Sequence, residues 1–350
     1  MVLFRGSIVN SKVSLESGGS DNVINSLIEN FESRLTNGFE NYHFEHNALP
    51  EINFSEIDTS VKFLGRELNY PLLIYSMIEN SSQTIKINRG LSELAGDYRL
   101  GFVVSNQKTD VKNKKTPKSN IRKIAPHILL FANLSAVDLN YGIGLDECKQ
   151  AVEMIDADAL MLYLNPIHEA FHPEGRRNFS GLLKKIDYIC SKLEAPVVVK
   201  EVGYGISATV AKKLYDAGVY AVDVAGAGSM TWLEIEKKSS KDIVIRDVAE
   251  TFCHWGNSTA DCIVSIAEKM KKLKIISSGG VKNGIDIAKS IALGASLCAN
   301  ASNFFKKSLI SRAECENLVE SIALELKIAM FCLGCKNIQD LKSIKLIRKG

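Results

Sequence analysis

The chain has 350 residues, 46% of them hydrophobic, and a formal net charge of +3. This length and composition suffice for a large core, in one barrel or in two smaller domains. So small a net charge argues against nucleic acid or an anionic membrane surface as a partner. The apolar runs fall short of the roughly 18–20 residues of a membrane-spanning helix. The first residues, MVLFRGSIVNSK, also lack the apolar stretch of a signal peptide.

Eight cysteines are scattered through segments that read as helices and strands. This scatter is typical of reduced thiols in a cytoplasmic protein rather than of a disulfide framework. Cys332 and Cys335 form a single C-x-x-C, but no second pair of cysteines or histidines lies at a suitable spacing. We therefore interpret the pair as structural, and predict a cytoplasmic location.

Apolar, β-rich runs recur along the chain in a regular rhythm. In chain order they are PLLIYSM (71–77), LGFVVSN (100–106), ILLFANL (128–134), ALMLYLN (159–165), PVVVKEV (196–202), AVDVAG (221–226), KIISSGG (274–280) and ASLCANA (295–301). Near-continuous hydrophobic strands belong to a parallel sheet covered by helices, and segments of helical period that end on glycine lie between them. Eight such units predict an α/β fold, a (β/α)8 TIM barrel, with a doubly wound sheet as the alternative.

Two flanking segments lie outside this rhythm. Residues 1–60 are polar and irregular, and we expect an N-terminal extension that covers a barrel formed by residues 61–350. Residues 306–350 read as helical, and their basic end, KSIKLIRKG, is expected to be a solvated face or a frayed tail. The lysine-rich segment 108–120 is expected to be a surface loop, with a mobile lid as the alternative.

The segment SSGGVKNG (277–284) follows the seventh predicted strand. In TIM barrels, phosphate groups commonly bind at the loops after strands seven and eight. Gly279 and Gly280 allow the backbone to approach an anion, and the small residues around Ala299 leave space opposite them. We predict a phosphate-bearing ligand here, although a double glycine alone is also typical of a tight turn.

Two polar residues end predicted strands at the edge where barrels carry their chemistry. Lys200 ends strand five, and a lysine beside the pyrimidine ring of a flavin would stabilise the charge of the reduced form. Asn133 ends strand three and has an amide that can hydrogen-bond the same ring. The alternative is an ion pair between Lys200 and Glu201, with Asn133 as a capping amide.

The segment LNPIHEAFHPEG (164–175) after strand four concentrates polar side chains. Glu169 is of the type that binds Mg²⁺ together with substrate phosphates. His168 is a candidate general acid or base near neutral pH. Asn165 and His172 lie close by in the sequence. The alternative is a loop in which the carboxylate caps a helix.

Several motifs, taken in order, resemble those of type 2 isopentenyl diphosphate isomerase from about residue 38 to the end of the chain. They are HNALPEI, DTSVKFLGRELNYPLLIYSM, ANLSAVDLNYG, LNPIHEAFHPEG, VVVKEVGYGIS, DVAGAG and SGGVKNG. The resemblance implies an FMN-dependent TIM barrel, a homo-oligomer, that uses Mg²⁺, and NADPH only to reduce the flavin. It implies that isopentenyl and dimethylallyl diphosphate are interconverted by allylic proton transfer with reduced FMN.

The resemblance also implies roles for individual residues. It makes Lys200 and Glu169 catalytic beside the candidate acid or base His168, Glu169 the metal ligand, and Lys108 and Asn165 substrate contacts. The implied FMN contacts are Met77, Asn106, Asn133, Lys200, Thr231, Gly279, Gly280, Ala299 and Asn300.

The sequence departs from the family pattern where the substrate should bind. Met-Thr-Gly-Gly after strand one is here Met77-Ile78-Glu79-Asn80, and Gly-Gly-Thr after strand six is Ser229-Met230-Thr231. Gly-Ser-Gln-Arg after strand two is here Ser105-Asn106-Gln107-Lys108, which exchanges a bidentate guanidinium for a point charge. In His-Leu-Asn-x-x-Gln-Glu, the histidine and the glutamine are replaced by Tyr163 and His168.

Three interpretations therefore stay open. The first is an isomerase of this family with an altered pocket. The second is a flavoprotein of the same fold that acts on another substrate, with Tyr163 and His168 as acid and base. The third is a non-catalytic binding or scaffold protein.

Overall fold

A computed structural model describes residues 34–76, 81–114, 121–172, 174–228, 233–234, 237 and 240–349. Within these residues eight parallel strands close into a barrel: β1 (Leu72–Tyr75), β2 (Gly101–Val103), β3 (Leu129–Ser135), β4 (Ala159–Tyr163), β5 (Val197–Lys200), β6 (Ala221–Asp223), β7 (Lys274–Ser277) and β8 (Leu297–Asn300). Each strand pairs with the next one along the chain, and β8 closes the ring on β1. The predicted TIM barrel is confirmed, and one strand coincides with each of the eight apolar runs, the third ending one residue beyond its run.

Helices cover the outer face of the barrel. They are Ser82–Asp97, Lys108–Asn113, Ile121–Ile124, Leu145–Glu153, Pro166–Phe171, Leu182–Lys192, Ala208–Asp216, Ile243–Thr251, Thr259–Lys269, Gly284–Ala292, Ser302–Ser308, Arg312–Phe331 and Ile338–Lys342. Short 3-10 helices lie at Phe39–Asn41, Phe54–Glu56 and Ala136–Asn140. No helix of the described ranges is both long and apolar enough to cross a membrane.

The strands are buried on both faces, which explains their near-continuous apolar sequence. In β5, Val198 packs inside the barrel with Phe131 and Met161. Val197 and Val199 face the opposite side, and belong to the layer between strands and helices. Because side chains alternate along a strand, the next inward position of β5 is residue 200.

A short hairpin closes the amino-terminal end of the barrel. Its strands Val61–Phe63 and Arg66–Leu68 pair antiparallel, and their last side chains join the interior cluster of the barrel. The Arg66 guanidinium forms an ion pair with Asp158, directly before β4, at 2.7 Å. The carboxyl-terminal end is therefore the end that stays available for a site.

The two flanks of the chain meet in a small antiparallel pair. Tyr42–His43 pairs with Ile347–Arg348, and the Arg348 guanidinium lies 5.9 Å from the centre of the Tyr42 ring. Of the two expectations for the basic carboxyl end, the solvated face agrees with the exposure of Ile347 and Arg348, whereas the frayed tail is wrong for these paired residues. The division into an extension up to residue 60 and a barrel from residue 61 stays a prediction.

The lysine-rich segment after β2 starts as a helix rather than as a loop. The Asn106 side chain accepts a hydrogen bond from the Lys108 N–H at 3.0 Å, and Val111 is buried beneath the helix Lys108–Asn113. The expected loop is therefore wrong for residues 108–113, while 115–120 lie outside the described residues. All eight cysteines lie in the described ranges, and each is a free thiol.

Candidate active site

Polar side chains gather at the carboxyl edge of the barrel because the two-residue alternation of the strands turns them inward there. This register places Lys200 of β5 inside the mouth, next to Tyr163 of β4 and Asp223 of β6. Tyr75 of β1 and Asn133 of β3 occupy the equivalent inward positions. The mouth therefore has a ring of polar groups above an apolar interior.

Lys200 belongs to a buried network that spans the barrel. Its amine lies 3.8 Å from the centre of the Tyr75 ring, a cation–π contact. The Tyr75 hydroxyl donates to the Asp223 carboxylate, whose other oxygen accepts from the Ser278 hydroxyl at 2.6 Å. Burial lowers the pKa of the Lys200 amine and raises that of Asp223, and each charge opposes the shift of the other. This network fixes Lys200 in the centre of the mouth.

Glu201 faces away from Lys200, and in the part of the chain that the structure describes no ion pair joins the two. Its Oε2 accepts hydrogen bonds from the N–H groups of Val202 and Tyr204, both at 2.6 Å. It also lines a cavity of about 550 Å³ that Trp255 borders. Burial raises the pKa of Glu201 to about 7. Glu201 thus shapes the loop after β5, and the alternative of a Lys200–Glu201 ion pair is not observed.

The loop after β7 needs its two glycines. Gly279 and Gly280 have φ angles of +93° and +77°. A Cβ on Gly279 would lie 2.6 Å from the backbone nitrogen of Gly226, and closer still to its carbonyl oxygen. One on Gly280 would lie 2.7 Å from the carbonyl carbon of Gly228. Side chains are therefore excluded at both positions on conformational and steric grounds.

The same loop offers donors to an anion. Among the described residues, the backbone N–H groups of Gly279 and Gly280 have no acceptor. The amino end of the helix Gly284–Ala292 is already capped, because the Gly284 N–H donates to Glu325 at 2.7 Å and the Asp286 N–H to Asn283 at 2.8 Å. The loop itself, rather than this helix end, is therefore suited to a phosphate.

The two predicted contacts on β8 have different roles. Ala299 is 2% exposed and faces the barrel interior, where its small side chain leaves space. The Asn300 amide donates to the carbonyl of Val281 at 2.7 Å and accepts from the Asn303 N–H at 3.1 Å. Asn300 therefore ties the loop after β7 to β8 through its side chain.

Asn133 has a buried acceptor that the protein leaves unused. Its Nδ2 donates to the Val104 carbonyl at 3.0 Å, whereas its Oδ1 is buried and accepts no hydrogen bond from any described residue. Buried polar atoms are normally paired, so this oxygen indicates a donor on a ligand. Together with Lys200 and the donors of the loop after β7, it fits FMN, with the phosphate at the loop and the ring near Asn133 and Lys200.

Asn106, also predicted to contact FMN, has another partner. Its Nδ2 donates to the Tyr163 hydroxyl at 2.7 Å, while its Oδ1 caps the helix that starts at Lys108. Burial raises the pKa of Tyr163, so the hydroxyl keeps its proton near neutral pH. Asn106 therefore positions a tyrosine at the end of β4.

Three predicted residues meet beside the short helix Pro166–Phe171 after β4. The Asn165 amide nitrogen donates to Glu169 Oε1 at 2.9 Å and lies 3.2 Å from His168 Nδ1. Burial lowers the pKa of His168, although the Glu169 charge opposes this shift. The imidazole is therefore neutral near pH 7 and able to accept a proton.

Glu169 is also bound by Arg176, which the sequence analysis missed. The Arg176 backbone N–H donates to Glu169 Oε2 at 2.5 Å, and its guanidinium to Oε1 at 3.2 Å. The same guanidinium forms an ion pair with the fully buried Asp138, which also accepts from the Lys108 amine at 2.8 Å. We call Lys108, Asp138, Glu169 and Arg176 the ionic cluster.

The ionic cluster bears on the predicted Mg²⁺ site. Both carboxylate oxygens of Glu169 already accept hydrogen bonds, and the residue is 3% exposed. Within the described ranges, no group of three or more acidic, histidine or cysteine side chains is arranged to hold a metal ion. The residues present do not fit Mg²⁺ at Glu169, since an ion there would have to displace Arg176.

Two predicted FMN contacts, Met77 and Thr231, lie outside the described residues, as do the altered positions 78–80 and 229–230. Besides Arg176, the sequence analysis missed Asp138, Tyr75 and Asp223 as parts of the site. A signal existed for Asp223, because an acid inside the apolar run AVDVAG needs a buried partner.

Comparison with known proteins gives a consistent result. A family model described as FMN-dependent dehydrogenase matches residues 168–348. An isopentenyl-diphosphate delta-isomerase of Nostoc sp. is 43% identical over 93% of this chain and 94% of its own length. One of Rickettsia africae is 39% identical over 93% of this chain and 96% of its own length.

Solved structures share the fold at low identity. A Pediococcus acidilactici protein described as a lactate oxidase aligns with a TM-score of 0.66 and 19% identity, over 94% of each chain. A mandelate oxidase variant that carries an FMN adduct aligns with a TM-score of 0.65 and 15% identity, over 94% of this chain and 95% of its own. At these identities the likeness concerns the barrel architecture alone.

Proposed function

Because the chain belongs to the isopentenyl-diphosphate delta-isomerase family, we propose that it interconverts isopentenyl and dimethylallyl diphosphate with reduced FMN bound in the barrel mouth. The observation that carries the proposal is the shared location of two sets of groups. Lys200 and the Gly279–Gly280 loop lie at the same barrel edge as Asn165, His168 and Glu169. A cofactor held by the first set would face a substrate held by the second.

The cofactor side of the mouth is formed by Asn133, Lys200 and the loop after β7. The N–H groups of Gly279 and Gly280, which have no acceptor among the described residues, would bind the phosphate. The Lys200 amine would hold negative charge on the ring system. When bound there, reduced FMN would supply an electron-rich ring beside the allylic substrate. Contacts from Met77, Asn106, Thr231, Ala299 and Asn300 stay predictions.

The substrate side moves a proton. Isomerisation adds one proton to the terminal alkene carbon and removes one from the methylene group attached to the inner alkene carbon, without net redox change. His168 is neutral near pH 7 and is oriented by the Asn165 amide, so its imidazole is the candidate base. Glu169, whose charge opposes the lowering of the His168 pKa, would stabilise the imidazolium.

The test is turnover by the protein loaded with FMN and fully reduced under anaerobic conditions. Isopentenyl diphosphate should yield dimethylallyl diphosphate in the NMR spectrum, with deuterium incorporated from heavy water. Lys200→Met should reduce FMN retention and turnover together, because the ring then loses its neighbouring charge. A reduced, flavin-loaded wild-type protein that gives neither product nor deuterium exchange, with Mg²⁺ and without it, would refute the proposal.

The role of His168 has its own matched control. His168→Gln should lower kcat strongly, whereas His172→Gln should change it little, although the two rings lie only 5.7 Å apart. Equal turnover by His168→Gln and the wild type would remove His168 from the mechanism.

Other features of the sequence analysis also stay predictions: NADPH as the reductant of the flavin, a homo-oligomeric assembly, and a cytoplasmic location. No step is assigned to Mg²⁺, because the residues around Glu169 do not fit it.

A further inference from the structure

We propose that Arg176 takes the place of a divalent cation in the ionic cluster, so that this mouth binds a diphosphate group through Arg176 and Lys108 without Mg²⁺. The inference rests on the proposed function, because it names the groups that would hold the diphosphate of that substrate. It differs from what the family resemblance implies, which is a metal ion bound at Glu169.

Arg176 is held in place by two acids from different parts of the barrel. Asp138 follows β3 and Glu169 follows β4, and the Arg176 guanidinium binds both. The side chains of Asp138 and Glu169 are 0% and 4% exposed. Removing the guanidinium would leave two buried carboxylates without this cation, which is strongly unfavourable. A divalent ion at Glu169 would have to displace this guanidinium from both carboxylates and supply the replacement charge itself.

Among the described residues, the cluster has donors that no acceptor uses. A guanidinium has five N–H groups and an ammonium has three. The Arg176 guanidinium gives one hydrogen bond to Asp138 and one to Glu169, and Lys108 gives one to Asp138. The side chains of Arg176 and Lys108 are 25% and 28% exposed, so part of each is accessible to a ligand.

The charges of the cluster explain how an anion would be recognised there. Its two cations balance its two carboxylates, so the cluster attracts a diphosphate through directed N–H groups rather than through net charge. Guanidinium donors suit this task, because they match phosphate oxygens in pairs. Binding should therefore depend on Arg176, and should respond little to added divalent metal.

The first test measures inorganic pyrophosphate binding to the FMN-loaded protein by calorimetry, in EDTA and in millimolar Mg²⁺. The wild-type Kd should differ by less than about threefold between the two conditions, a small change on the affinity scale. Arg176→Gln should weaken binding in EDTA by about tenfold or more, since charge-assisted hydrogen bonds are lost. Binding by this variant should also become dependent on Mg²⁺, because Glu169 loses the guanidinium and Asp138 keeps only Lys108.

Arg177→Gln is the matched control. The Arg177 guanidinium donates to the backbone carbonyls of Glu169 and His172 and to no carboxylate among the described residues. This variant should keep the wild-type affinity in EDTA. If Arg176→Gln fails to retain FMN or to unfold cooperatively, Arg176→Lys replaces it as the test variant. It keeps the charge but lacks the planar guanidinium, so it should bind pyrophosphate more weakly than the wild type in EDTA.

A second readout detects the metal directly. Binding to the protein changes the electron paramagnetic resonance signal of Mn²⁺, so the number of ions bound per chain can be measured without any substrate. The wild type should bind no Mn²⁺ at the cluster, and Arg176→Gln should gain one site. Adding Glu169→Gln to that variant should remove the site again.

Two results would overturn the inference: a wild-type pyrophosphate Kd that tightens by about threefold or more with Mg²⁺, or a wild-type Mn²⁺ site that Glu169→Gln removes. Turnover separates this failure from failure of the proposed function. Isomerisation that requires Mg²⁺ refutes the inference and leaves the function intact. Metal-independent pyrophosphate binding without isomerisation supports the inference and refutes the function.

Discussion

Replacing Gly279 by alanine is expected to destabilise the loop after β7 and to weaken FMN binding. Its φ of +93° is unfavourable for an L residue, by ~1–2 kcal/mol. The new methyl group would also lie 2.6 Å from the Gly226 nitrogen, so one of the two loops must move. Movement breaks the hydrogen bond from the Gly226 N–H to the Ser278 carbonyl at 3.0 Å, and that from the Thr259 hydroxyl to the Gly279 carbonyl at 2.5 Å.

The two hydrogen bonds contribute ~1 kcal/mol each, which brings the expected loss for Gly279→Ala to ~3–4 kcal/mol. Gly142→Ala is the matched control, because Gly142 has a φ of +88° and nothing within 4 Å of its Cβ. Gly142→Ala therefore carries the conformational cost alone. In urea unfolding of the FMN-free proteins, Gly279→Ala should lower the free energy of unfolding by ~2 kcal/mol more than Gly142→Ala does. Gly142→Ala should retain FMN in gel filtration, and Gly279→Ala should release it. Equal unfolding free energies, with FMN retained by both variants, would refute the reasoning.

Two further predictions concern buried groups of the mouth. Tyr75→Phe should lower the free energy of unfolding by ~1–3 kcal/mol, because Asp223 loses a donor inside the barrel. Tyr141→Phe, at an exposed tyrosine, is the control. An equal loss of unfolding free energy in both variants would contradict a special role for Tyr75. Burial raises the pKa of Glu201 from 4.5 to about 7. Between these two pH values the folded state therefore keeps a proton on Glu201 that the unfolded state has released. The free energy of unfolding should therefore fall as pH rises from about 4.5 to 7, by on the order of 3 kcal/mol. Glu201→Gln should flatten that slope in urea titrations, and an unchanged pH profile would argue against the shift.

The barrel could be predicted because its strands are hydrophobic on both faces. The run Val197–Val199 shows this, since one valine faces the interior and two face the helices. Alternation along the same strand turns Lys200 inward, so this part of the site followed from the strand assignment. The β7 loop was also predictable, because two adjacent glycines at a strand end indicate a close approach of the backbone.

The ionic cluster could not be predicted in the same way. Asp138, Glu169 and Lys108 follow three different strands, and spacing along the chain does not show which side chains meet across a barrel. Arg176 and Arg177 are adjacent in the sequence, yet the first binds two buried carboxylates and the second binds backbone carbonyls. The choice depends on how the chain turns after the helix Pro166–Phe171, which residue type alone does not determine.

The two sides of the mouth have diverged from the family pattern to different degrees, because each loop of a TIM barrel can change while the barrel stays the same. The cofactor side keeps Lys200 and the glycines after β7. On the substrate side, the family arginine after β2 is here Lys108, a point charge on Asp138. A guanidinium at this carboxylate comes from Arg176, in the loop after β4. A planar cation is therefore present at the proposed substrate side of the mouth, although it comes from a different loop. The loss of the arginine after β2 does not by itself argue against a diphosphate substrate.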